Sequence, residues 1–239
     1  KTSSGDQPLR DKTLVVWAAP ANLTQQGGSA LTIDDNGSHF DGLVFAERSP
    51  AKWMAGSDHY RRTSLAQAEW PAETNAAPTF VQLAAVYRGS EVTLYREGKP
   101  YARYAIKEPQ VFGPNSLILI GPRHVGNTDF FAGAVDDARL YGRALTPEEI
   151  AVLKPNEEGA VKPWAWWTFD DGSCEDRAGH LVASQLTGGA KVEKGCLVLD
   201  GVKAAFCAAR VAASLGGLAS APLPPSLAYQ PDLPGDCTV

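Results

Sequence analysis

The chain has 239 residues, 44% of them hydrophobic and 21% charged, and carries a formal net charge of −5. This is a globular composition, long enough to bury a full core in one large domain or two small ones. It leaves no basic footprint for nucleic acid and no run of about 18 apolar residues to span a membrane.

With 17 prolines, 23 glycines and short apolar runs split by turn residues, the chain is expected to be all-β. Its polar start, Lys1-Thr-Ser-Ser-Gly-Asp, has no signal-peptide pattern and no initiator Met, and reads as a processed or excised chain. Residues 14–20 (LVVWAAP) form the first expected strand. Residues 29–34 and 42–47 flank the Asp35-Asn-Gly-Ser turn and read as a hairpin. Residues 52–58 make a further short strand, and 61–78 a polar loop carrying Trp70-Pro71. Three strands follow at 80–87, 91–95 and 99–106, turned at Arg88-Gly-Ser and Arg96-Glu-Gly. Residues 116–121 and 130–141 complete the set, which at this spacing suits a two-sheet jelly roll. A helical turn closes it. Thr146 caps, Pro147 takes the first helical position and Glu149 completes a capping box.

The run Gly133-Ala-Val-Asp-Asp-Ala-Arg-Leu-Tyr-Gly-Arg-Ala-Leu-Thr-Pro-Glu-Glu-Ile150 resembles the closing segment of laminin-G-like jelly rolls, in the concanavalin A-like lectin/glucanase class. Val86-Tyr-Arg-Gly-Ser-Glu-Val-Thr-Leu-Tyr-Arg-Glu-Gly98 is similar to another part of that pattern. The resemblance implies an antiparallel two-sheet jelly-roll sandwich. The family's opening strands are missing from the front and turn up near the back, at Trp166-Trp-Thr-Phe-Asp-Asp-Gly172 and residues 188–201. The plan is then a main part at 1–153, a linker at 154–163, strands at 164–207 and a Pro/Ala-rich tail at 208–239. Either 164–207 closes the same sandwich in permuted order, within one chain or as a strand-swapped dimer, or it begins a truncated second jelly roll. Unpaired apolar edges favour closure.

Jelly-roll glucanases carry their two carboxylates on one strand, two or four residues apart, and no such run is present. The densest polar and aromatic region is Glu47, Trp53, Asp58, His59, Tyr60, Arg61 and Arg62, with Arg123 and His124 further on. Aromatic faces and hydroxyl-binding charges are the parts of a sugar site. The expected function is a noncatalytic module binding a polysaccharide or oligosaccharide on a concave sheet. It resembles accessory domains of secreted bacterial glycoside hydrolases, among them levanase and invertase relatives, which implies a secreted or cell-surface location. The alternatives are a glycoside hydrolase using Glu47 and Asp58, or an adhesive spacer. The resemblance also implies a structural calcium ion near Asp136, Asp137, Asp170 and Asp171, although neighbours on a regular strand point to opposite faces. Four cysteines, at 174, 196, 207 and 237, leave Cys174–Cys196 and Cys196–Cys207 bridges open in an oxidising compartment.

Overall fold

The computed structural model describes residues 8–210. In chain order the strands are β1 (Lys12–Pro20), β2 (Ser29–Asp34), β3 (Phe40–Phe45), β4 (Trp53–Ser57), β5 (Val81–Arg88), β6 (Glu91–Arg96), β7 (Lys99–Ala105), β8 (Leu117–Gly121) and β9 (Ala132–Tyr141). After a single helical turn, α1 (Pro147–Ala151), come β10 (Ala165–Trp167), β11 (Ala183–Thr187), β12 (Lys191–Glu193), β13 (Cys196–Asp200) and β14 (Ala205–Ala209). They form two antiparallel sheets. One has the order β12-β13-β9-β1-β5-β6-β7, with β10 also on β9; the other runs β11-β14-β8-β2-β3-β4.

β1 is apolar almost throughout because it is central and covered on both sides. Leu14, Val16 and Ala18 face the inter-sheet core, while Val15 and Trp17 join the cluster holding Ile150 of α1. The Thr146–Glu149 capping box forms as the residues indicate.

The late part of the chain enters both sheets. β9 takes two strands end to end along one edge: Ala165–Trp167 pair with 138–140, and Leu197–Asp200 pair with 132–135. Phe206–Ala208 pair with Ile118–Ile120 of β8. Trp167 and Phe169 then pack edge-on against Phe206 in the core, with ring centroids 5.4 and 6.0 Å apart. Strand order extends to Ala209, so residues 208 and 209 belong to β14 rather than to the expected tail; the rest of that tail, from 211 on, lies outside the described residues. Cys174 and Cys207 are free thiols, so neither expected bridge forms, and burial pushes the Cys207 thiol up to about 12.

An ionic chain crosses between the sheets at one end. Lys12 Nζ of β1 lies 2.8 Å from Asp41 Oδ2 of β3, and Arg62 Nε donates to Asp41 Oδ1 at 2.7 Å. All three side chains are at most 1% exposed. The Lys12 ammonium sits over the Tyr87 and Phe112 rings, at 4.3 and 4.6 Å. Burial pushes its pKa below the ordinary value, against the pull of Asp41. Removing the shared anion leaves two buried cations, so Asp41→Ala is expected to cost about 3–5 kcal/mol of stability. Arg61→Ala, at an exposed neighbour, should stay within about 0.5 kcal/mol. Urea unfolding of both variants checks this, and a similar small loss in each would refute it.

Candidate functional site

The outer face of the six-stranded sheet carries its own apolar cluster, Phe40, Val44 and Met54, separate from the inter-sheet core. Gly42 and Gly56 are cross-strand partners on this face. A Cβ at Gly42 would lie 2.3 Å from Thr32 Oγ1, and one at Gly56 2.3 Å from Val44 Cγ2, so only glycine permits this packing. Two loops fold over the face: one leaves β4 at Ser57, the other leaves β8 at Gly121. Between them lies an open depression of ≈ 320 Å³.

Six residues singled out from the sequence line it: Glu47, Asp58, His59, Tyr60, Arg123 and His124. Phe40, Ser57, Ser38 and Gly37 complete the wall. The other three do not reach it. Trp53 is a core residue, its ring packed on Phe45 and Phe131 and its Nε1 donating to Glu73 Oε2 at 3.1 Å. It alternates inward because β4 turns Met54 and Gly56 outward. Arg62 is fully buried in the ionic chain, and Arg61 is exposed beside the depression, with distant ion contacts to Asp58 and Glu108.

Arg62 nevertheless builds the site from beneath. Its Nη2 donates to Phe40 O and to Asp58 Oδ1, and its backbone N–H donates to Ser57 Oγ. This pins the Asp58–Tyr60 turn, a single 3₁₀ turn in which His59 and Tyr60 both take left-handed backbone conformations, φ 48° and 57°. Ala46, next to Glu47, does the same at φ 55°. Three non-glycine residues in that region around one depression mark stored strain, which concentrates at functional sites. The opposite loop is tied down by Asp34, which accepts from the backbone N–H of Gly37 (2.5 Å) and Val125 (3.0 Å). Burial raises the Asp34 pKa, and those two hydrogen bonds oppose the rise.

The polar groups within the wall are partly spent on one another. Arg123 Nη1 lies 3.1 Å from Glu47 Oε1 and 3.2 Å from Asp129 Oδ2. Glu47 Oε2 is buried without a hydrogen-bond partner. Burial first, then the Glu47 charge, lift the Tyr60 phenol above its ordinary pKa. His124 tilts against Phe40 with centroids 5.2 Å apart, and its Nδ1 donates to Val125 O at 2.7 Å, which leaves Nε2 available. The Arg48 guanidinium covers the Tyr60 ring at 5.2 Å. The result is a wall of two carboxylates, one guanidinium, two imidazoles, a phenol and two hydroxyls, with small aromatic faces among them. Such a set both donates to and accepts from sugar hydroxyls. Sequence inspection missed Phe40, Ser57 and the β2–β3 turn; the Phe40-Asp-Gly-Leu-Val alternation is the signal that could have shown an outward Phe40 above an inward Asp41.

The four acids expected at a calcium ion do not converge as one set. β9 bulges here: Trp17 pairs with Asp137 but Ala18 with Val135, so Asp136 is the extra residue. The bulge corrects the expected opposition of the pair, since both Asp136 and Asp137 reach Asn156. Asp137 is committed to Arg139 through two bonds, to Trp166 Nε1 and to the Asn156 backbone. Asp171 accepts from Ser173 N in its own turn. Asp136 and Asp170 face each other across the Asn156 amide, Nδ2 lying 3.0 and 3.2 Å from their Oδ1 atoms. Asn156 Oδ1 is buried without a partner, but adding it to the two carboxylates gives at most five side-chain oxygens where calcium takes six to eight. No group of three or more His, Cys, Asp or Glu among the described residues could hold a metal ion. As placed, the four acids do not fit that shell.

Burial pushes the Asp136 carboxyl up to about 7, with the Asn156 amide opposing the rise and Asp137 and Asp170 adding repulsion. A folded pKa above the unfolded one stabilises below pH ~4 and loses that contribution as pH rises through ~7. Asp136→Asn is therefore expected to raise Tm at pH 8 relative to wild type and to flatten the decline between pH 5 and 8. Calorimetry across that range tests it; identical pH profiles would refute it.

The family model of the concanavalin A-like lectin/glucanases superfamily matches residues 1–151. Domain 4 of AbnA, an extracellular GH43 arabinanase from Geobacillus stearothermophilus solved with arabinotriose, is 20% identical. The alignment covers 62% of this chain and 68% of that one, with a TM-score of 0.47. The heptameric SAP-like pentraxin of Limulus polyphemus is 15% identical over 68% of this chain and 84% of its own, TM-score 0.44. The CBM40 of the Ruminococcus gnavus IT-sialidase, bound to α2,3-sialyllactose, is 12% identical over 60% and 82%, TM-score 0.42. No curated protein matches the chain. With 151 of 239 residues matched on the two-sheet sandwich described above, the chain belongs to the concanavalin A-like lectin/glucanases superfamily.

Proposed function

We propose that the chain is a noncatalytic carbohydrate-binding module, secreted or displayed at a cell surface, whose ligand seats in the depression between the Ser57–Arg62 turn and the loop after β8. The observation that carries this is the strained His59–Tyr60 pair, presented beside Glu47, Arg123 and His124, which come from two other parts of the chain. Left-handed backbone at two consecutive bulky residues costs stability, on the order of 1–3 kcal/mol each. The chain carries that cost where it aims an imidazole and a phenol into one polar depression.

The wall pairs Glu47 and Asp58 with arginines, so its ionic groups nearly cancel. A neutral, hydroxyl-rich ligand suits that balance better than an anion or a cation. A volume of ≈ 320 Å³ is at the lower end for small-molecule sites, about 300–1,000 Å³. It accommodates a short saccharide segment with weak affinity.

Tyr60→Ala and His124→Ala are expected to weaken retention on a polysaccharide affinity gel about tenfold each, with unfolding curves close to wild type. A protein that no polysaccharide in a broad panel retards would overturn the proposal. Glu47 and Asp58 line the same wall, which favours glycoside hydrolysis as the second reading. Reducing-end release from the bound polysaccharide decides between them. Binding without turnover is expected; turnover abolished by Glu47→Gln would make the module an enzyme.

A further inference from the structure

A second, larger cavity lies against the other sheet, at the seam where the late strands join β9. Its volume is ≈ 640 Å³, and Arg139, Asn156, Lys162, Trp166, Arg177 and His180 contribute to its wall. The site is built on a row of stacked groups. The Arg139 guanidinium lies 5.2 Å from the Trp17 ring and 4.8 Å from Trp166, and Arg177 lies 5.5 Å from the Trp166 ring. Trp164 and His180 stack beside them at 5.4 Å, within 10° of parallel.

One buried carboxylate holds this arrangement. Asp176 accepts from the backbone N–H groups of Trp166, Ala178, His180 and Leu181, at 2.8–3.0 Å. That fixes the short loop carrying Arg177 and His180 against β10. Arg139 is committed to Asp137 and to Lys154 O. Arg177 is not: its nearest acid, Asp171, is 3.9 Å away, beyond hydrogen-bond reach, and its side chain is 43% exposed. His180 Nδ1 donates to Trp164 O at 2.7 Å, which leaves Nε2 for a ligand. The acid at the rim, Glu158, is tied to Lys162 at 2.5 Å. The wall therefore offers one uncommitted guanidinium fork beside an imidazole, a match for a single carboxylate.

We propose that this cavity is a second binding site, for the carboxylate of an acidic saccharide, held by Arg177 and His180 with the sugar ring occupying the space toward Lys162 and Asn156. The sugar half rests on the carbohydrate reading of the chain; the carboxylate half stands on this cavity alone.

The test is isothermal titration of the full chain, its Arg177→Ala variant and its Tyr60→Ala variant with trigalacturonate, a neutral trisaccharide of the same length, and acetate. The expected result is trigalacturonate binding to wild type and Tyr60→Ala alike, with at least a tenfold loss in Arg177→Ala. Acetate should bind far more weakly, by the same dependence on Arg177. Trigalacturonate binding that survives Arg177→Ala, is abolished by Tyr60→Ala, or is absent altogether would overturn the proposal. Acetate as tight as trigalacturonate would overturn its sugar half. Failure of every neutral polysaccharide to bind, with the Arg177-dependent binding intact, would sink the reading of the first site and leave this one standing. Arg177→Gln, which removes charge but keeps the stem over Trp166, separates lost recognition from lost packing: it should lose binding as Arg177→Ala does and unfold like wild type.

Discussion

The buried chain Lys12–Asp41–Arg62–Asp58 is the constraint on which most of this structure depends. It fixes the spacing of the two sheets at one end, because Lys12 belongs to one and Asp41 to the other. It also leaves the core and surfaces at Asp58, inside the polar depression. Two cations and two aromatic faces meet at the Asp41 carboxylate, so removing that one anion strands two charges in a low-dielectric interior. Ion pairs of this kind add less net stability than well-packed apolar groups would. Their contribution here is geometric: they set where the Asp58–Tyr60 turn stands, and so where its imidazole and phenol point.

Much of the architecture can be read from residues, for identifiable reasons. β1, β5 and β8 are near-continuous apolar runs, since strands covered on both faces need no alternation. The α1 turn carries its capping box openly in Thr146 and Glu149. β11 is harder to see because Ala183–Thr187 is only half-buried and polar, an edge strand given its identity by β14. The bulge at Asp136 is invisible to a period-two argument, which places Asp136 and Asp137 on opposite faces when one extra residue turns both toward Asn156.

The site shows the same division. Polar and aromatic density located Glu47, Asp58–Tyr60 and Arg123–His124, because side chains that cannot be buried gather where loops meet. Density could not separate Arg62 from Arg61: one is sealed beneath the wall and the other stands in solvent, a distinction made by Asp41 twenty-one positions earlier. Trp53 misled for a related reason. Its indole N–H needs a partner, and Glu73 supplies one inside the protein, so an aromatic with a polar edge could be spent on the core. Arg177 and His180 carry no local signature. They matter through Asp176, whose carboxylate gathers four amides into one loop.

The end-to-end seating of β10 and β13 on β9 has a consequence for how the chain is made. β8 and β9 are complete in sequence by Tyr141, yet the strands that cover their edges arrive between Ala165 and Ala209. During synthesis the first nine strands emerge with two hydrogen-bonding edges open and the Phe206 position between the sheets unfilled. Closure is thus a late, long-range event that waits for residues 165–209 to be made. Until then each open edge is a template for another strand, and a second copy of the chain carries the ones that fit it.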